Sequence, residues 1–269
     1  MRVHRQSQPA IAWKSGISKT WKSIRYFLWI CLLFAAAAGS PAVQAAPCEK
    51  KNYKIVLDVG HTEDEPGATS ARGVKEYKFN LDLTRDIAAA LSAAGFESTD
   101  LLITEGKGGA ALHSRPAYAN RKRADLFLSI HHDSVQRLYL KPWIEGGRAQ
   151  NYSDEFSGYS LFVSNRNPRK VESLAFATLL GDELQSRGLQ FTAHHAENIK
   201  GERKTFLDAK RGIYRYDQLV VLKESMAPAI LLEAGVIVNR SEEIEAASPA
   251  RRKAIADAVV SAVNRFCGT

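Results

Sequence analysis

The chain has 269 residues, and its 37 Lys+Arg against 29 Asp+Glu give a formal charge of +8. Six of those cations (Arg2, Arg5, Lys14, Lys19, Lys22 and Arg25) fall in the first 25 residues, which hold no acid. The remaining 31 cations against 29 anions make no basic surface of the kind nucleic-acid binding needs, so nucleic acid is excluded as a partner.

Residues 1–45 read as a secretory signal peptide. The cationic start leads into a continuous apolar run over 26–38 (YFLWICLLFAAAA). Val43-Gln44-Ala45 then supplies the small-residue pattern that signal peptidase reads. The run is shorter than the roughly 20 residues of a spanning helix, which disfavours a retained anchor. Ile30 before Cys31 is too bulky for a lipoprotein cleavage site. The mature chain is expected to start near Ala46 and to work outside the cytoplasm, in the periplasm. Cys31 leaves with the signal, while Cys48 and Cys267 flank what remains. Two such cysteines pair in an oxidising compartment or stay free, and the residues alone leave both open.

Residues 46–269 hold no low-complexity linker and no internal repeat, and are expected to fold as one α/β domain. A first strand at 55–59 (IVLDV) breaks at Gly60-His61. A polar loop with Pro66, Gly67 and Gly73 follows, and Glu76 stands at the door of a helix over 78–94. That helix carries Phe79, Leu83, Ile87 and Leu91 at i, i+4 spacing, with Gly95 ending it. A strand near 97–104 comes next, then a helix opening at Ser114-Arg115-Pro116, and then a buried strand over 126–131 ending in His131-His132-Asp133. Residues 134–159 and 190–218 read as irregular, and such long stretches are often functional or mobile. Between them lie a strand at 160–163 and a helix at 170–187 with Val171, Leu174, Thr178 and Leu184 on one side. Two last strands are expected at 219–222 and 229–232. Ser248-Pro249 opens a final helix carrying Ile255, Val259, Val263 and Phe266. The alternation implies a mostly parallel or mixed sheet of about six strands with helices on both faces.

Three of these strands end in a group able to do metal or proton chemistry: His61, His131 and Glu233. If the strands are parallel neighbours, those ends meet at the rim where open α/β sheets bind ligands, and Glu76 returns to it from the first loop. Two histidines and one carboxylate, with a second carboxylate free, match a catalytic zinc site. Singly, each has a plainer role, as a hydrogen-bonded loop histidine or a dipole-favoured glutamate at a helix start. Glu233 is the exception: an acid directly after Ala-Ile-Leu-Leu costs several kcal/mol if buried unpaired.

Four blocks extend these hints over most of the domain. They are IVLDVGHTEDEPGATSARGVKEYKFNLDL (55–83), RPAYANRKRADLFLSIHHDS (115–134), GYSLFV (158–163) and RGIYRYDQLVVLKESMAPAILLEAGVIVNRSEE (211–243). In this order they resemble the zinc-dependent N-acetylmuramoyl-L-alanine amidases, bacterial cell-wall hydrolases with a type-3 amidase domain. The resemblance implies that 46–269 is the catalytic domain, with one Zn2+ held by His61, Glu76 and His131 and with Glu233 as the catalytic carboxylate. It also implies peptidoglycan as substrate, cut between N-acetylmuramic acid and L-alanine.

His132 takes a position where the family has a small residue. As a strand neighbour of His131 it points to the opposite face, so it is not a ligand. The family's proline before Gly-His is Val59 here, and its Gly-Gly is Thr62-Glu63, which leaves substrate preference open. Division-associated relatives carry an inserted helical segment that blocks the zinc. No equivalent appears between Val163 and Lys170, although 134–159 or 190–218 could serve as a gate. Arg72, Lys75 and Arg115 are either partners for stem-peptide carboxylates or solvated surface charge. His113, His194 and His195 are unassigned, and Asn239 reads as a turn or cap residue. The chain is expected to act as a monomer, with any activator protein unidentified. The alternatives are an exported zinc peptidase or deacetylase acting on another cell-wall acyl bond, and a catalytically inactive peptidoglycan-binding relative.

Overall fold

The computed structural model describes residues 48–268. The signal-peptide expectation for 1–45 lies outside the described residues. Among those described, no helix is long and apolar enough to cross a membrane.

β1 (Ile55–Val59) is buried at every residue, as befits a strand covered on both faces. α1 (Glu76–Ala93) buries Phe79, Leu83, Ile87 and Leu91, the four residues its spacing marks out. β2 (Thr99–Leu102) follows. α2 (Gly108–Lys122) starts six residues before the expected Ser114, because the Glu65 side chain accepts from the Gly108 N–H at 2.8 Å and stands in for a cap. β3 (Leu126–Asp133) then crosses the molecule.

The stretch read as irregular over 134–159 contains a hairpin, β4 (Lys141–Glu145) and β5 (Arg148–Tyr152). Its turn is Gly146-Gly147, both at positive φ, as a two-residue hairpin loop requires. β6 (Ser160–Val163) and α3 (Lys170–Ser186) come as expected, but α3 buries Ser173, Phe176, Ala177, Leu180 and Leu184 and leaves Val171 72% exposed. β7 (Thr205–Asp208) and β8 (Ile213–Arg215) fill part of the second irregular stretch. The strand expected at 219–222 is instead the short helix α4 (Val220–Lys223). An apolar run of four residues has too little period to separate the two states. β9 (Ala229–Val236) continues past Glu233, and α5 (Arg240–Ala247) and α6 (Pro249–Phe266) close the chain. Asn239 caps α5 through its side-chain oxygen and Ser248 caps α6, each by accepting from backbone N–H groups of the first turn.

The main sheet has seven strands in the order β2-β1-β3-β9-β6-β8-β7. The first four are parallel, β6 runs against β9, β8 follows β6, and β7 runs against β8. The expected mixed α/β architecture is thus present with one strand more than anticipated. α1, α3 and α6 cover one face around Leu83, Ile87, Phe176, Leu180, Val259 and Val263. α2 and α4 cover the other, where Ala119 and Leu222 meet Phe127, Phe162 and Leu231. Each large side chain so buried contributes about 1.5–3 kcal/mol.

Strand alternation sends Leu128 and Ile130 toward the α1 face and Phe127 toward the other. His132 continues the first series and packs on Phe79, with Nδ1 2.9 Å from Asn80 Oδ1. Burial pushes its pKa down to about 4, against the opposing pull of the Glu76 charge. The folded state therefore keeps His132 neutral while the unfolded chain binds a proton below about 6.5. Stability present above that pH is lost as pH falls toward 4, by about 3 kcal/mol at the limit. Denaturant unfolding between pH 7 and 4 should show His132→Gln losing less stability than the native chain, by an amount approaching that size.

Cys48 and Cys267 are joined by a disulfide with Cα atoms 5.0 Å apart, which decides the pairing that the sequence left open. It closes a separation of 219 residues, and on the chain-entropy account so long a loop contributes at most about 5 kcal/mol. Non-reducing mass spectrometry should find no free thiol at either position. The double Cys48→Ser/Cys267→Ser variant should unfold at distinctly lower denaturant concentration.

Candidate active site

The site grows from the end of β1. Gly60 extends the ladder by donating its N–H to Ile130 O at 2.9 Å, and a Cβ there would lie 2.5 Å from the His131 ring. Only glycine allows so close an approach. His61 then takes a left-handed φ of 66°, a strained state for a residue with a side chain, costing about 1–3 kcal/mol. Gly67, at φ 75°, passes directly over Glu76 and would place a Cβ 2.6 Å from the His61 ring.

Glu76 opens α1 and is almost fully buried. Its Oε2 lies 3.0 Å from His61 Nε2 and accepts from Ala68 N at 3.0 Å. Its Oε1 lies 3.0 Å from His131 Nδ1 and accepts from Asn80 Nδ2 at 3.1 Å. Burial pushes this carboxyl up, but the hydrogen bonds from His131 and His61 outweigh it and hold the pKa well below the usual range. The two imidazole rings sit edge to face with centroids 4.9 Å apart, and the ligand-type atoms of His61, Glu76 and His131 lie within 4.8 Å of one another. The three residues singled out from the sequence are thus brought together.

Glu233 completes the rim. It sits opposite His131 in the β3–β9 register and opposite Ser160 of β6. Its Oε2 is buried with no hydrogen-bond partner in the protein. Burial, and then the charges of Asp133 and Glu76, push its pKa well above the usual carboxylate value. Perturbation of this kind beside a group of candidate metal ligands marks a candidate reactive carboxyl. A cleft of about 390 Å³ opens beside His61 and His131, with Thr62, Glu65, Leu112 and Leu219 among its walls.

The supporting residues were the harder part to foresee. Asn80 lies one turn after Glu76 and donates to both Glu76 Oε1 and Gly60 O, tying helix to strand. Its i, i+4 spacing from Glu76 was the available signal. Arg115 is neither surface charge nor free for a substrate carboxylate. It is buried, with Nη1 2.7 Å from Asp58 Oδ1 and 2.6 Å from Val59 O, and Nη2 on His61 O. Arg72 is likewise committed, to Glu243 and Arg240 O beside the Trp143 ring, whereas Lys75 is exposed and bonded to Thr69.

At the two departures in the loop, Val59 is a core residue and the Thr62 hydroxyl donates to Gly106 O at 2.8 Å. His113 is a surface residue beside Glu224, while His194 and His195 gather around Asp133.

A sequence profile described as N-acetylmuramoyl-L-alanine amidase matches residues 55–265. The amidase AmiC of Neisseria meningitidis serogroup B is 26% identical over 235 residues, covering 80% of this chain and 53% of its own length. AmiA of Escherichia coli K12 is 27% identical over 221 residues, covering 78% and 74% respectively. The chain thus spans about half of the first relative and three quarters of the second. The crystal structure of Ami1 from Mycobacterium smegmatis superposes with a TM-score of 0.62 at 21% identity, over 82% of this chain and 99% of that one, and shares its fold. By the extent of the profile match, which takes in all four residues of the rim, this chain belongs to the N-acetylmuramoyl-L-alanine amidase family.

Proposed function

We propose that the chain hydrolyses peptidoglycan at the amide between N-acetylmuramic acid and L-alanine, with one Zn2+ held by His61, Glu76 and His131 and with Glu233 as general base and acid. One observation carries this reading. Two imidazoles and an ionised, fully hydrogen-bonded carboxylate converge beside a second carboxyl whose buried oxygen has no partner. That donor set suits a catalytic zinc site, which takes three protein ligands and keeps one position open. Zinc bound there supplies Lewis acidity at the scissile carbonyl and brings the pKa of water toward ~7.

Everything else falls to the chain's own residues. Glu233 accepts the proton of the attacking water and returns it to the leaving amine, so it must alternate between charged and neutral forms. Its raised pKa suits that double duty. Asn80 and the Ala68 N–H fix the plane of the Glu76 carboxylate, and Arg115 grips the His61 carbonyl from below. Work outside the cytoplasm, in the periplasm, is supported by the signal-like residues 1–45 and by the disulfide, which needs an oxidising compartment. A monomer accounts for the site as described, since all four side chains come from one chain.

Glu233→Gln should retain zinc by elemental analysis yet lose about 10²–10⁴-fold in turnover on purified peptidoglycan. Near-normal turnover would sink the assignment. Mass spectrometry of digests should show intact stem peptides with a free L-alanine amine, and none after chelation. A different scissile bond would favour a zinc peptidase or deacetylase instead. Gly60→Ala should weaken zinc binding in a metal titration while leaving the circular dichroism spectrum intact, because its methyl group displaces the His131 ring.

A further inference from the structure

A second group of ligand-type side chains closes over the end of β3. Asp133 follows His131 across a register shift in the β3–β9 ladder. His194 and His195 reach it from a single turn in the stretch between β6 and β7. Asp133 Oδ2 lies 2.7 Å from His195 Nε2 and 3.3 Å from His194 Nε2, and the three ligand atoms lie within 4.8 Å of one another. Both histidines are buried, with their rings 4.0 Å apart and Phe156, Phe162 and Tyr214 packed against them.

Every other polar atom of the cluster is already engaged. His195 Nδ1 is 2.9 Å from Glu202 Oε2, His194 Nδ1 is 2.9 Å from Thr192 Oγ1, and Asp133 Oδ1 accepts from Ser134 N at 2.7 Å. An imidazole whose Nδ1–H is held by a carboxylate presents the lone pair of Nε2, which is how metal-ligating histidines are oriented. His194 Nε2, by contrast, is buried and faces only Asp133 Oδ2, at 3.3 Å and outside hydrogen-bond geometry. A cation shared with Asp133 and His195 would satisfy it.

We propose that Asp133, His194 and His195 form a second divalent-metal site, separate from His61, Glu76 and His131 and suited to zinc. Two imidazole nitrogens and one carboxylate oxygen favour zinc over calcium or magnesium, which select all-oxygen sets. The bound ion fastens the segment carrying His194 and His195 to the end of β3, two residues from His131. A metal-free arrangement competes with it, in which a protonated His195 bridges Asp133 and Glu202. Those two carboxylates raise the His195 pKa to about 9 despite its burial. That arrangement leaves His194 Nε2 with nothing but a poorly directed 3.3 Å approach to Asp133 Oδ2, which is why the metal is preferred.

The test is zinc stoichiometry by native mass spectrometry and elemental analysis of the disulfide-intact protein, equilibrated in buffered free zinc and then desalted. Two zinc ions per native chain are expected, falling to one in His194→Gln/His195→Gln and to one in His61→Ala. Glu202→Gln, which keeps all three ligands, should weaken the second ion about 10–100-fold and leave the first unchanged. It decides the matter if the double variant does not fold. One zinc per native chain that the double variant retains, or two retained in the double variant, would overturn the proposal. Loss of one ion in the double variant but none in His61→Ala would instead count against the first site alone.

Discussion

The structure turns on one buried carboxylate. Glu76 meets two histidines at 3.0 Å and accepts hydrogen bonds from Asn80 and from the backbone of the loop that carries His61. A carboxylate this buried is untenable alone, and five polar neighbours, His132 N at 3.3 Å among them, make it the best-satisfied group at the rim. Much of the odd backbone nearby follows from that. Gly60 and Gly67 clear space for the rings and the carboxylate, and His61 accepts a left-handed φ so that its ring turns back toward Glu76.

Around this centre the sheet acts as an alignment device. Parallel pairing of β1, β3 and β9 brings three carboxyl-terminal ends to one edge, and the register sets His131 beside Glu233 with no loop between them. Behind the edge, Asp58 is buried against Arg115 and Ser129, and Arg115 carries that support up to the His61 carbonyl. Glu243 of α5 does a similar service for the loop through Ser70 and Arg72. The Asp58–Arg115 pair is buried on both sides, so removing one partner there costs more than a surface ion pair would, about 3–5 kcal/mol.

Legibility followed physical range. The α1 stripe, the all-apolar strands and the caps at Asn239 and Ser248 rest on spacing within a dozen residues, and these were readable. The hairpin of β4 and β5 was not, because its strands alternate weakly and lie outside the main sheet, although Gly146-Gly147 carried a turn signal. The run 219–222 misled because four apolar residues fit either period, and burial against the α2 face settled the helix at Val220–Lys223. Val171 misled in a similar way, since the inward stripe of α3 is set by Phe176, Leu180 and Leu184 and not by the first turn.

By itself the sequence determined the chemical types at the strand ends, the periodicities of the long helices and the motif order that places the chain in its family. These are properties of single residues and near neighbours, and local physics suffices to express them. Only the tertiary structure decided that β3 and β9, about a hundred residues apart, lie side by side, that Cys48 meets Cys267, and that Arg115 turns inward to Asp58. It alone brought His194 and His195 to Asp133. Such pairings depend on which distant surfaces exclude water together, and no local window of the chain encodes that choice.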